Sequence, residues 1–165
     1  MHDLPLQTAA EKGRRLLAEV MKEDGCNQDF CRRLIAAGAD LNVESHEGGT
    51  PLIYAAARGL PLAHDLIGAG ADVDVQNHQD ATALMWAAHQ GHAGVVRALI
   101  THGARTDQVD ITKCTARGYA VREGYDCITD MIDEEEKQRA IAIAAVRGTV
   151  KHRRILRPKT INPKP

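Results

Sequence analysis

Apolar residues lie along this chain in short clusters at helical spacing, and the clusters recur every 32 or 33 residues. Leu34, Leu66 and Leu99 each begin a segment of two apolar residues with a glycine four residues on. The three segments read LIAAGADLN, LIGAGADVD and LITHGARTD. Self-similarity at a fixed period of this length indicates a stack of repeated structural units.

A second recurring segment carries a threonine near its start. The segments GGTPLIYAAARGL, DATALMWAAHQGH and the weaker KCTARGYAVREGY contain Thr50, Thr82 and Thr115, which are 32 and 33 residues apart. Threonine is a favourable helix N-cap because its side chain accepts a hydrogen bond from an unpaired backbone N–H. Each threonine therefore predicts the start of a helix.

The unit that begins at Thr50 shows the predicted arrangement most fully. A first helix is predicted over 51–58 and is ended by Gly59. A second helix begins near Pro61 and ends at Gly70, a residue suited to a left-handed C-cap. The polar stretch ADVDVQNHQDA that follows is predicted to extend as a hairpin-like finger to the next unit.

These segments resemble the ankyrin repeat, whose pattern is G-x-T-P-L-H-x-A-A-x-x-G-H, then V-V-x-L-L, then G-A-D-V-N. The resemblance covers roughly residues 28–132 and repeats in register. It implies an all-α fold, a short ankyrin-repeat solenoid of about four helix-turn-helix units with hairpin-like finger loops and a C-terminal capping helix. Ile53 and Met85 replace the family's histidine, and only His92 of the G-H pair remains. The hydrogen bonds that the family's histidine makes between repeats from the positions of Ile53 and Met85 are therefore not expected here.

The predicted organisation is one ankyrin-repeat domain followed by a basic, flexible tail over 148–165. Terminal repeats are expected to be atypical because one side of each faces water. The domain over 1–147 divides into an N-terminal capping repeat at 1–40, repeat 2 at 41–74, repeat 3 at 75–107, and a degenerate repeat 4 with the capping helix at 108–147.

Two interpretations of the N-terminal unit remain open. Apolar residues near a period of 3.5 predict one helix over 5–22. An alignment of Gly13 with Gly59 instead splits this segment after a shorter helix. Both interpretations predict a second helix over 28–37.

The C-terminal unit is less regular than the others. Arg117 stands where the other units have leucine, and the finger at 107–114 is expected to depart from the usual shape. Asp133 and Glu136 have capping-box spacing, which predicts a separate last helix over 134–146. The segment that begins RGTVKHRR holds seven Lys or Arg, three Pro and no acid, and is predicted to be non-helical.

Composition narrows the classes of function. The net charge of -1 argues against a domain that binds nucleic acid electrostatically. The four cysteines match no zinc or disulfide spacing, so reduced thiols are expected. No secretory signal and no run of about 18 apolar residues is present. We therefore expect a cytoplasmic protein, with the nucleus as the alternative.

Three of the five aromatic residues share one position in successive repeats. Tyr54, Trp86 and Tyr119 each lie four residues after the capping threonine. Packed helices lie about 10 Å apart, so the three rings are predicted to line up along the hollow face of the stack. Large amphipathic rings are common interface anchors. The alternative is that the rings fill space between adjacent helices, and the two interpretations are compatible.

The resemblance also carries over the positions at which ankyrin repeats vary and contact partners. These positions lie in the fingers and on the first helix of each repeat. With the aromatic residues Tyr54, Trp86 and Tyr119, the predicted partner-binding residues are His46, Glu47, Arg58, His78, Gln79, His89, Gln90, Thr112 and Arg122.

The function implied by the resemblance is protein–protein interaction. We expect an adaptor, inhibitor or regulatory subunit that binds a partner protein or extended peptide on the concave face. The alternative is a nucleic-acid-associated or nuclear-targeted protein that uses the basic tail, with the repeats as scaffold. No enzymatic activity, metal or cofactor is expected. A monomer without membrane contact is favoured, although the last helix offers an apolar stripe through which two copies could pair.

Overall fold

Eight helices make up the regular structure of the described part of the chain. The computed structural model describes residues 8–22 and 25–155, with side chains as far as residue 146. No β-strand occurs in these ranges, and the predicted all-α repeat fold is confirmed. In chain order the helices are α1 (Ala9–Val20), α2 (Gln28–Ala36), α3 (Pro51–Ala57), α4 (Leu62–Gly68), α5 (Ala83–His89), α6 (Ala93–Thr101), α7 (Ala116–Glu123) and α8 (Asp126–Ile155).

The predicted threonines begin the first helix of each later unit. The Oγ1 atoms of Thr50, Thr82 and Thr115 accept hydrogen bonds from the N–H three residues on, at 3.3, 3.3 and 3.1 Å. Such a cap stabilises a helix by about 1 kcal/mol. Gly59 and Gly70 follow α3 and α4 with φ of 62° and 89°, a conformation that glycine adopts without strain.

Two layers of helices enclose the core. Helices α1, α3, α5 and α7 contact one another in succession, and α2, α4 and α6 form the second layer. Each buried leucine contributes about 1.5–3 kcal/mol relative to an exposed one. The largest fully buried apolar side chains are Leu16, Leu34, Leu52, Leu62, Leu66, Leu84, Leu99, Ile128 and Ile132.

Apolar packing occupies the positions where the family has histidine. Ile53 and Met85 are buried, with 4% and 2% of their surface exposed. His92 still links two repeats, because its Nε2 lies 3.3 Å from the carbonyl oxygen of Ala57. The same ring covers Gly59 so closely that a Cβ there would lie 2.5 Å from its Nδ1 atom. One link between repeats therefore remains polar.

The N-terminal unit begins with one continuous helix. Thr8 and Glu11 form a capping box, with backbone-to-side-chain hydrogen bonds of 3.0 and 3.3 Å. Gly13 lies inside α1, where an added Cβ would lie 2.4 Å from the carbonyl oxygen of Asp40. Close packing of the following loop therefore explains this glycine. The interpretation that splits the segment at Gly13 is wrong, and the helix ends at Val20 rather than at the predicted residue 22. Residues 5–7 of the predicted range lie outside the described residues.

Helix α8 continues without a break to Ile155. The separate helix predicted over 134–146 and the non-helical start predicted for the tail are both wrong. The sequence DMIDEEEKQRA has no glycine or proline and is rich in helix-forming residues, so nothing ends the helix there. Asp133 and Glu136 thus have capping-box spacing inside a helix. Residues 156–165 lie outside the described residues.

Contacts divide the chain into two compact units, 1–132 and 133–165. The first unit contains α1 to α7 and the start of α8, and it holds the core described above. The second contains the rest of α8, where Glu135 pairs with Arg139 at 2.8 Å within the helix. The division of the sequence into repeats and a tail after residue 147 remains a prediction.

Candidate partner-binding groove

Three finger turns with one geometry precede α3, α5 and α7. Ser45, Asn77 and Asp110 start these turns, and the N–H of each donates to the carbonyl oxygen four residues later, at 2.9, 3.0 and 3.1 Å. The side-chain oxygen of each also accepts from the N–H groups two and four residues later. The third finger, which was expected to be irregular, therefore has the same turn as the others.

Backbone hydrogen bonds join neighbouring fingers. The N–H of His78 donates to the carbonyl oxygen of Glu47 at 3.0 Å, and the N–H of Ile111 donates to that of Gln79 at 3.1 Å. The fingers are thus held side by side at a constant offset. This register places the residues of the three finger tips in one row.

The three aromatic side chains lie behind the fingers, and all three are half-buried. Tyr54 shares a hydrogen bond with Ser45, with 3.0 Å between their hydroxyl oxygens. The hydroxyl of Tyr119 donates to Oδ2 of Asp110. Trp86 differs, because its indole Nε1 is buried without a hydrogen-bond partner. Each ring therefore packs in the stack, and only the central ring has an unsatisfied polar atom.

His89 connects the rings of two repeats. Its centroid lies 6.3 Å from that of Trp86 and 5.2 Å from that of Tyr119, with interplanar angles of 87° and 86°. Edge-to-face pairs of aromatic rings are worth about 0.5–1.5 kcal/mol beyond their burial. The guanidinium carbon of Arg122 lies 4.7 Å from the Tyr119 centroid. A continuous row of rings with a cation at one end results.

Asp110 carries a buried negative charge behind the third finger, with 4% of its surface exposed. Burial raises the pKa of this carboxyl, but hydrogen bonds from Tyr119, Thr112 and Cys114 outweigh burial and lower the pKa to about 2. The bond to Asp110 raises the pKa of the Tyr119 hydroxyl. At neutral pH the carboxylate is therefore charged and the phenol is a neutral donor.

Two cavities open on the face formed by the fingers and the first helices of the repeats, and they meet at Gln79 and Trp86. We call the surface that lines them the groove. The smaller cavity, of about 160 Å³, is lined by Gln79, Ala81, Met85, Trp86, His89, Asp110, Tyr119 and Arg122. The larger cavity, of about 470 Å³, is lined by His46, Glu47, Gly49, Ile53, Tyr54, Ala57, Asn77, His78, Gln79 and Trp86.

Most of the predicted contact residues line the groove, and three lie elsewhere. Arg58 donates from Nη1 to the carbonyl oxygens of Val20 and Lys22, both at 2.8 Å, and so caps the end of α1. Gln90 is the exposed C-cap residue of α5. The side chain of Thr112 bonds to the turn of its own finger. A contact role for any of these residues stays a prediction.

The residues that start the finger turns were not predicted from the sequence. Asn77 and Asp110 line the cavities, and with Ser45 each lies five residues before a capping threonine. Asparagine, aspartate and serine are the side chains that bond to a backbone N–H two residues on. Their common offset was therefore a usable signal.

The comparison with known proteins agrees with this architecture. A family model described as "Ankyrin repeats (3 copies)" matches residues 54–141, just over half of the chain. No curated protein matches the chain. Among the described residues, no helix is long and apolar enough to cross a membrane. Ankyrin repeats generally bind protein partners, and proteins built from them are typically non-enzymatic scaffolds. From its finger turns, its capped helix pairs and this match, the chain belongs to the ankyrin-repeat family.

Proposed function

We propose that this chain is an adaptor, inhibitor or regulatory subunit that binds an extended segment of a partner protein in the groove. The observation that carries the proposal is the meeting of two cavities at Trp86, whose buried indole Nε1 has no hydrogen-bond partner. The neighbouring His89 also lines the groove, and its buried Nδ1 has no partner either. Half-buried aromatic rings that line concave surfaces are common anchors for protein partners. Trp86 is therefore the expected centre of the interface.

The unsatisfied indole N–H gives a reason for Trp86 to favour a ligand. A buried donor without an acceptor costs about 1–3 kcal/mol. A peptide carbonyl that accepts from Nε1 after a small rotation of the ring removes this cost. Peptide backbones present such carbonyls at every residue, so an extended segment suits this donor.

The charges of the groove favour a protein over a polyanion. Glu47 and Asp110 are acidic, Arg122 is basic, and Arg122 itself pairs with Glu123 at 3.1 Å. Binding to nucleic acid depends instead on a surplus of Lys and Arg that neutralises phosphates. The mixed charges thus support recognition of a polypeptide.

A peptide-display selection tests the proposal. Peptides selected on the wild-type chain are synthesised, and their dissociation constants are measured for the wild type and for the double variant Trp86→Ala, His89→Ala. We expect at least tenfold weaker binding to the double variant, which corresponds to about 1.4 kcal/mol. Circular dichroism verifies that the variant remains folded.

His64→Ala is the matched control, because His64 is an exposed histidine of α4 and does not line the groove. It is expected to leave the dissociation constants unchanged. Equal affinity of the double variant and the wild type would move the binding site away from the groove.

The basic C-terminal segment supports a second candidate function, contact with nucleic acid. Helix α8 includes residues 151–154, and the sequence there is Lys-His-Arg-Arg. Under this hypothesis, binding to single-stranded or double-stranded nucleic acid falls steeply with salt and is lost in the full-length variant Lys151→Ala, Arg153→Ala, Arg154→Ala. Binding that persists in this variant would remove the candidate.

A further inference from the structure

Helix α8 exposes a run of seven consecutive apolar residues, AIAIAAV at 140–146. The exposed fractions of Ile141, Ile143 and Val146 are 62%, 55% and 64%. Helices that are apolar on all sides are normally buried, and runs of exposed apolar residues in natural proteins mark contact surfaces. The match to the ankyrin family ends at residue 141, so residues 142–146 of this run lie outside the matched repeats.

We propose that residues 133–154 of α8 pair antiparallel with the same segment of a second copy of the chain. The proposal is independent of the groove and goes beyond the function proposed above. A second copy is the expected partner because the segment has acidic residues at one end and basic residues at the other, so two copies can pair opposite charges.

Charges flank the apolar run with opposite sign on its two sides. Residues 133–136 are Asp-Glu-Glu-Glu, and residues 151–154 are Lys-His-Arg-Arg. In an antiparallel pair with Asp133 opposite Arg154 of the other copy, the whole acidic segment lies opposite the whole basic segment, at both ends. The same register places Ile141 opposite Val146 at the centre. In a parallel pair each segment would face its own like charges, which is destabilising.

The helix dipole does not explain this charge pattern. Acidic residues are stabilised by the dipole within the first turn of a helix, and α8 begins at Asp126. Residues 133–136 lie beyond that turn. Ion pairs inside the helix, such as that between Glu134 and Lys137 at 3.9 Å, are solvent-exposed and contribute little, so these two side chains can exchange partners.

The length of the segment sets the expected affinity. Residues 133–154 span about 33 Å at the helical rise of 1.5 Å per residue, roughly three heptads. This is near the lower limit for a helix pair. We therefore expect a reversible dimer whose population rises with protein concentration and falls with salt, since salt screens the attraction between the opposite charges.

Sedimentation equilibrium of the full chain tests the proposal. At high protein concentration and low salt, we expect the mass of two chains. Ile141→Asp, which alters the central contact, is expected to give a monomer. Ile111→Asp, which alters a finger residue with 59% of its surface exposed, is expected to leave the dimer intact. Circular dichroism of both variants shows whether the repeats remain folded. A monomer at every concentration, or a mass of three or four chains, would overturn the proposal.

Charge reversal tests the antiparallel arrangement. The acid-reversed variant carries Glu134→Lys, Glu135→Lys and Glu136→Lys. The base-reversed variant carries Lys151→Glu, Arg153→Glu and Arg154→Glu. Each alone is expected to be monomeric, whereas an equal mixture is expected to form a heterodimer, and a chain with all six changes is expected to recover the dimer. Dimers of each variant alone, or no association in the mixture, would overturn the antiparallel pairing.

Discussion

The second and third fingers have the same turn, but the aromatic rings behind them differ in how their polar atoms are satisfied. In the third finger, Asp110 has a second carboxylate oxygen that accepts from Tyr119. In the second finger, the Oδ1 atom of Asn77 bonds to the turn and Trp86 Nε1 has no partner. The ring of the third finger is therefore held by the residue that starts its turn, whereas the indole of the second finger is left with an unsatisfied donor. We infer that the third finger is built for stability and the second for binding.

The largest effect is expected from removal of the carboxylate of the third finger. Asp110→Ala leaves two turn N–H groups and the Tyr119 hydroxyl without their acceptor, and we expect it to lower the free energy of unfolding by about 3 kcal/mol. Asp110→Asn keeps an oxygen for the turn, as Asn77 does in the second finger, but loses the charged acceptor of Tyr119, and should lower it by about 2 kcal/mol. Urea unfolding measures both values. Equal losses in the two variants would contradict the role of the turn.

Acid is expected to weaken the third finger in the same way. The folded-state pKa of Asp110 is about 2, below the ordinary value of 3.8 for an aspartate. Its stabilising effect is therefore fully present above about pH 5 and is lost as the pH falls toward 2, with a total of about 2 kcal/mol. The difference in free energy of unfolding between the wild type and Asp110→Asn isolates this carboxyl from the other titrating groups. A difference that stays constant from neutral pH to about pH 2 would show that Asp110 has an ordinary pKa.

Phenylalanine substitutions at the two rings compare the fingers directly. Tyr119→Phe removes a hydrogen bond to a charged acceptor and should lower the free energy of unfolding by about 2 kcal/mol, with little effect on peptide binding. Trp86→Phe removes a donor that has no partner, so its effect on stability is expected to be smaller, while peptide binding weakens about tenfold. Calorimetric titration and urea unfolding of both variants give the comparison. If Tyr119→Phe weakened peptide binding and Trp86→Phe mainly lowered stability, the roles assigned to the two fingers would be reversed.

The smallest effect concerns the backbone of the same fingers. Lys113 and Asp80 occupy the equivalent turn position with φ of 64° and 57°, where the first finger has a glycine. Lysine is strained in this region, whereas aspartate tolerates it better. We expect Lys113→Gly to raise the free energy of unfolding by up to about 1 kcal/mol and Asp80→Gly to change it by less. Thermal unfolding of the two variants checks the order.

The sequence predicted those features that depend on local chemistry. Capping threonines and the glycines at positive φ act within a few residues, so the bounds of α3 and α5 followed from the pattern. Gly13 misled because its cause is the approach of Asp40, a contact distant in sequence. Asp133 and Glu136 misled because capping-box spacing also occurs inside long helices. A motif of two residues does not report whether the chain before it is already helical.

The candidate site was predictable to a similar extent. The shared position of Tyr54, Trp86 and Tyr119 was visible as a repeat offset, and the three rings do lie behind the fingers. The capping role of Arg58 was not visible, since it depends on the end of α1 lying beside α3. The different state of Trp86 was also beyond the pattern, because it depends on which hydrogen bonds the neighbouring turn already makes.

Fluorescence of Trp86 during peptide titration tests the central claim most directly. Trp86 is the chain's one tryptophan, so all tryptophan emission comes from the centre of the groove. With a peptide selected on the wild-type chain, we predict a saturable change of emission with the same dissociation constant that calorimetry gives. The change should also occur in His64→Ala and be absent when a scrambled peptide is added. Binding detected by calorimetry with unchanged Trp86 emission would contradict the account and place the partner on another surface.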